Sequence, residues 1–88
     1  VFQVQSLRGG EAEVIELEAV EASPLIGEPL KNKPLPEGVS IAAVIRGKTI
    51  ILPDGNTMIE IGDKVIVFAR HDVISEIEKI FSVGIGFH

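Results

Sequence analysis

Apolar and polar residues alternate along this chain with a period that changes from two to that of a helix near its end. Residues 1–7 (VFQVQSL) alternate and then stop at Arg8-Gly9-Gly10, which suits either a short strand or an extended linker entering the domain. Residues 11–20 place Glu13, Ile15, Leu17 and Ala19 on one face, and Ala12, Val14, Glu16, Glu18 and Val20 on the other. The central part reads as a strand with one buried and one acidic face, against the helix preference of its glutamates. Ser23-Pro24 then breaks the chain. Prolines at 29, 34 and 36 leave room only for a short helix, from about Gly27 to Lys33.

Residues 39–46 (VSIAAVIR) are apolar on both faces, as a central strand covered on both sides would be. Gly47 turns the chain and residues 48–52 (KTIIL) return as the hairpin partner. Pro53-Asp54-Gly55-Asn56 is dense in turn formers, residues 57–61 read as a short strand, and Gly62-Asp63 as a tight turn. Residues 64–70 (KVIVFAR) alternate cleanly. After Asp72, a candidate N-cap, the residues Val73, Ile74, Ile77, Ile80 and Phe81 recur at helical spacing. Ser75, Glu76, Glu78 and Lys79 fill the opposite side. The order implies an α+β fold: a small mixed or antiparallel sheet, a short crossover helix and a C-terminal helix packed on the sheet. Residues 1–10 are assigned to a linker from a missing upstream domain, 11–81 to the domain and 82–88 to a fraying tail.

Composition sharpens this picture. Eighty-eight residues suffice for one domain with one core. Hydrophobic residues make up 45%, aromatics only 5%, and mean hydropathy is +0.36, so the core is aliphatic and the apolar surplus points to a surface covered by a partner. Thirteen acids against eight Lys plus Arg give a net charge of −5, which argues against nucleic-acid binding. There is no Cys, hence no disulfide and no thiolate metal site. Apolar runs are far shorter than the roughly 20 residues of a membrane helix, and no signal-peptide pattern opens the chain. The chain starts at Val1 and its one Met is Met58, as expected of a fragment of a longer protein.

Candidate chemistry is sparse. His71 and His88 are not at ligand spacing; His71 suits a half-exposed junction residue or a pH-sensing group. No Gly-x-Ser-x-Gly elbow, dinucleotide fingerprint or phosphate loop is present, so no enzyme is expected. Glu16 and Glu18 share a strand face that either presents two carboxylates to a divalent cation or is simply solvated. Asp54 and Asp63, next to turn glycines, are expected to bind their own backbone. Arg46 and Lys48 flank Gly47 and make a small basic tip. With Val44, Ile45, Ile50 and Pro53 they form the candidate ligand site: the cations for a phosphate, the apolar side chains for a nucleobase. The opposing reading is a plain wet turn. No metal site is assigned.

The order and spacing of several stretches resemble the TrkA C-terminal, or RCK C-terminal, domain family. They are Leu25-Ile26-Gly27 with Leu30, Leu35-Pro36-Glu37-Gly38, Ile41-Ala42-Ala43-Val44-Ile45-Arg46, and Ile51-Leu52-Pro53. The pattern closes with residues 55–68 (GNTMIEIGDKVIVF). Residues 4–13 (VQSLRGGEAE) further resemble the join between nucleotide-binding and C-terminal domains in TrkA proteins. Lys33-Pro34 departs from the pattern, where an apolar residue is common. The resemblance implies a regulatory, ligand-binding or dimerising domain of a cytoplasmic potassium-transport subunit, peripheral to the inner face of the membrane. Its expected partners are a second copy, a membrane potassium transporter and a small anionic effector such as cyclic di-AMP. NAD or ATP is expected only on an upstream Rossmann-type domain, and no cofactor in this fragment. The alternatives are a purely structural dimerisation module and the regulatory domain of a different ion or anion transporter.

Overall fold

A computed structural model describes residues 3–82. Five strands form one sheet: β1 (Gln3–Leu7), β2 (Ala12–Glu18), β3 (Val39–Arg46), β4 (Thr49–Ile51) and β5 (Lys64–Arg70), in spatial order β1-β2-β5-β3-β4. Every pairing is antiparallel. The cleanest alternation lies at the centre: in β5, Val65, Val67 and Ala69 are buried while Phe68 is 49% exposed. Opposite them stand Leu17, Ile15 and Glu13 of β2. The helix α1 (Ile74–Phe81) covers this same face through Ile74, Ile77 and Phe81, joined by Leu25 and Ile59. Residues 3–7 take the strand alternative, and β1 is the edge of the sheet beyond β2.

Strand β3 corrects one expectation. It lies second from the edge, and only Val44 is fully buried; Ala42, Ala43 and Ile45 are half-buried. Its apolar run on both faces follows from a register shift between Ile41 and Ala43. Ile41 opposes Val67 and Val44 opposes Val65, so both point into the core although three residues apart. Strict alternation would have sent one of them outward, and the bulge supplies the extra residue.

The expected short helix is reduced to one 3-10 turn, Leu30–Asn32. Its first two amides bond outside the segment, Leu30 N–H to Thr57 O and Lys31 N–H to Gly55 O, both at 2.9 Å, while Asn32 N–H and Lys33 N–H close the turn on Pro29 O and Leu30 O. Residues 57–61 likewise form no strand, making only the isolated bridge Pro29–Met58. Turn bonds claim this stretch instead, with Thr57 N–H on Asp54 O and Asp63 N–H on Glu60 O. The last helix starts one residue later than a cap at Asp72 would place it, at Ile74 with Val73 in the cap position. A 3-10 turn, His71–Val73, precedes it, and Asp72 makes no cap bond but pairs with Arg70 at 3.1 Å. Ser82, in the left-handed region at φ 53°, ends the helix and donates its hydroxyl to Ala22 O. Ser23 Oγ donates in return to Ile80 O, so the turn after β2 and the end of α1 hold each other. Of the expected tail, residues 83–88 lie outside the described residues. Among the described residues no helix is long and apolar enough to cross a membrane.

Candidate functional site

The hairpin that joins β3 to β4 is closed by Gly47 and Lys48, since Arg46 pairs directly with Thr49. Gly47 takes φ +60° at the first central position, where two-residue hairpin turns favour glycine. Alternation then splits the candidate residues between two faces. Ile45 and Ile50 oppose each other on the outer face, away from α1, and Ile50 is 69% exposed. Val44 opposes Ile51 on the core face and is wholly buried, so it supports the hairpin and is not accessible to a ligand. Lys48 stands exposed at the tip. Pro53 sits past the far end of β4, beside Leu35, Ile41 and Lys31 in an open groove of about 300 Å³.

Arg46 lies on the core-face side of the sheet end, and here the structure adds what the chain order concealed. Its Nε donates to Asp63 Oδ1 at 3.0 Å and its Nη2 to Asp63 Oδ2 at 2.8 Å, a two-pronged contact. Nη2 also donates to Met58 O at 2.9 Å, and Nη1 lies 3.0 Å from Glu60 Oε2. The fork once read as free for a phosphate is thus closed on a carboxylate. Asp63 does bind its own turn, accepting from Glu60 N–H at 2.9 Å, but that expectation missed its main partner. Burial pushes the Asp63 carboxyl up, yet the bonds from Arg46 and the Glu60 amide outweigh it and hold it below its ordinary value. The same bond raises Arg46 above the usual guanidinium value. Gly62, at φ +89°, permits the turn that aims Asp63 inward.

A second buried carboxylate lies at the opposite end of β5. Glu13, on the buried face of β2, is 1% exposed, and its Oε1 lies 2.8 Å from His71 Nδ1. The hydrogen bond from His71 is the main cause that holds the Glu13 carboxyl below its ordinary value against the cost of burial. His71 is therefore the junction residue expected, but with a specific partner. The available signal was a glutamate in phase with Ile15 and Leu17, which obliges some cation or donor to meet it. Asp54 behaves as a turn residue, its Oδ1 accepting from Asn56 N–H at 2.8 Å. Among the described residues no group of three or more His, Asp or Glu is placed to hold a metal ion.

The profile of the TrkA-C domain family matches residues 14–82. A Trk system potassium uptake protein TrkA from Azorhizobium caulinodans is 42% identical over 84 residues, covering 96% of this chain and 18% of that protein. TrkA homolog 1 of Methanosarcina mazei is 40% identical over 86% of this chain and 17% of its own length. The K(+)/H(+) antiporter NhaP2 of Shewanella baltica is 35% identical over 90% of this chain and 14% of its own length. The chain thus spans less than a fifth of each of these relatives. Among solved structures, the RCK_C domain dimer of S. agalactiae BusR in complex with c-di-AMP superposes with a TM-score of 0.70 at 21% identity, covering 89% of this chain and all of that one. An RCK domain with cda gives a TM-score of 0.64 at 22% identity, covering 76% of this chain and 96% of that one. These likenesses agree with the α+β, helix-on-antiparallel-sheet architecture described above. The chain belongs to the TrkA-C domain family.

Proposed function

We propose that this chain is the regulatory C-terminal module of a Trk-type potassium-uptake protein, working as a homodimer and binding an anionic nucleotide at its β3–β4 hairpin. The observation that carries the proposal is the hairpin itself. A three-residue edge strand exposes Ile50 by 69%, and Leu52 just beyond it by 79%, the two highest exposures among the large apolar side chains of the described residues. Exposed apolar edge strands invite pairing or cover, and a second copy offers both. Ile45 and Ile50 on the outer face provide apolar surface for a nucleobase, and Lys48 at the tip, with the Arg46 Nη1 that Asp63 does not engage, provides charge for its phosphate. The c-di-AMP held by the BusR domain dimer names a ligand of this class to try.

In this reading the chain carries no catalysis. NAD or ATP chemistry belongs to an upstream Rossmann-type domain, and the whole protein sits at the cytoplasmic face of a membrane potassium transporter. The likeness to NhaP2 favours a second reading, in which the same module regulates a cation antiporter. The two differ in what precedes the domain: a Rossmann-type domain in the first, membrane spans in the second. The effector site is tested by titrating c-di-AMP calorimetrically into wild type and Ile50→Asp. Heat from wild type that is lost in the variant supports the site. Equal affinities, or no heat from wild type, would remove it.

A further inference from the structure

The geometry points to Glu60 as an internal competitor for the effector's phosphate, occupying the one face of Arg46 that a ligand can reach. This rests on the hairpin site proposed above and concerns how that site is regulated. A guanidinium has five N–H donors. Three of them, on Nε and Nη2, are taken by the two Asp63 oxygens and Met58 O. The remaining two are both on Nη1, and Nη1 faces Glu60 Oε2 at 3.0 Å.

The two carboxylates hold Arg46 unequally. The Asp63 side chain is 3% exposed and anchored by the Glu60 amide, so its fork stays closed on the arginine. The Glu60 side chain is 63% exposed and rests on Nη1 by its charge alone. Its backbone N–H makes the bond to Asp63 independently, so the carboxylate can swing into solvent without loosening the turn. A phosphodiester oxygen can then take its place on Nη1. Arg46 thereby recognises the anion through one nitrogen while Asp63 fixes its position. Glu60 keeps that nitrogen occupied when no effector is present, and its negative charge also opposes the approach of the ligand.

An exposed ion pair is weak, so its removal should tighten binding by only about two- to fivefold. The experiment is calorimetric titration of c-di-AMP into wild type, Glu60→Gln and Glu37→Gln. Glu37 is exposed, lies at the far end of β3 and makes the same change in net charge. The expected result is tighter binding by Glu60→Gln, with Glu37→Gln within twofold of wild type. Equal tightening in both variants, or none in either, would overturn the competitor role while leaving the hairpin site standing. No binding by any of the three would overturn the site and the inference together.

Discussion

The two ends of β5 solve one problem in different ways. At its start Asp63, and beside its end Glu13, are carboxylates buried almost completely, at 2% and 1% exposure. Asp63 is gripped by Arg46, which is charged at every pH a protein survives, and by a backbone amide. Glu13 is met by His71 at Oε1 alone, and among the described residues its Oε2 has no hydrogen-bond partner. One end is a two-pronged clamp that positions the hairpin; the other is a clasp held at a single oxygen. Between them runs the same aliphatic strand, so the ends can be compared within a single cooperative core.

The largest effect should come from that shared core. Ile77→Ala removes a fully buried side chain and should cost roughly 2–4 kcal/mol in urea melts. Next is Asp63→Ala, which strips the acceptor from both Arg46 and the Glu60 amide and should cost roughly 2–3 kcal/mol. His71→Ala, at a half-exposed side chain, should cost less than Asp63→Ala in the same melts at neutral pH. Equal costs at 63 and 71 would break the contrast between clamp and clasp.

Acid sharpens the contrast. Glu13 has a folded carboxyl below its ordinary value, so its stabilisation is present above the unfolded value and is lost as pH falls through the folded one. His71→Ala removes the main cause of that lowering. The variant should therefore be less stable than wild type at neutral pH but lose less stability as pH falls, so that the gap between them in urea melts narrows in acid. A gap that stays constant across that range would show that His71 does not stabilise the carboxylate. The smallest effect belongs to Glu78→Ala on the helix, expected within about 0.5 kcal/mol. A loss there equal to that of Ile77→Ala would mean that the helix face is misassigned.

What the sequence displayed follows the same division. The regular parts were legible because their periods are local: Val65, Val67 and Ala69 alternate, and Ile74, Ile77 and Phe81 recur at helical spacing. The hairpin at Gly47 was legible from its glycine. The bulge in β3 was not, because a run of apolar residues looks the same whether both faces are covered or one residue is inserted. Nor was the fate of residues 27–33 and 57–61, whose backbone bonds go to each other and to turns across the chain. The site was the least legible part. Arg46 and Asp63 are 17 residues apart and Glu13 and His71 are 58 apart, and only the sheet brings them together. Each looked locally sufficient, as a basic tip, a turn aspartate, a strand glutamate and a junction histidine.

The central claim is that this module works in pairs, with its exposed β3–β4 hairpin covered by a second copy. Sedimentation velocity of the purified chain at micromolar concentration, with and without c-di-AMP, tests this most directly. The account predicts a main species of twice the 9.4 kDa chain mass, strengthened by the nucleotide and dissociated by Ile50→Asp. A folded species of 9.4 kDa at every concentration, unchanged by the nucleotide, would contradict it.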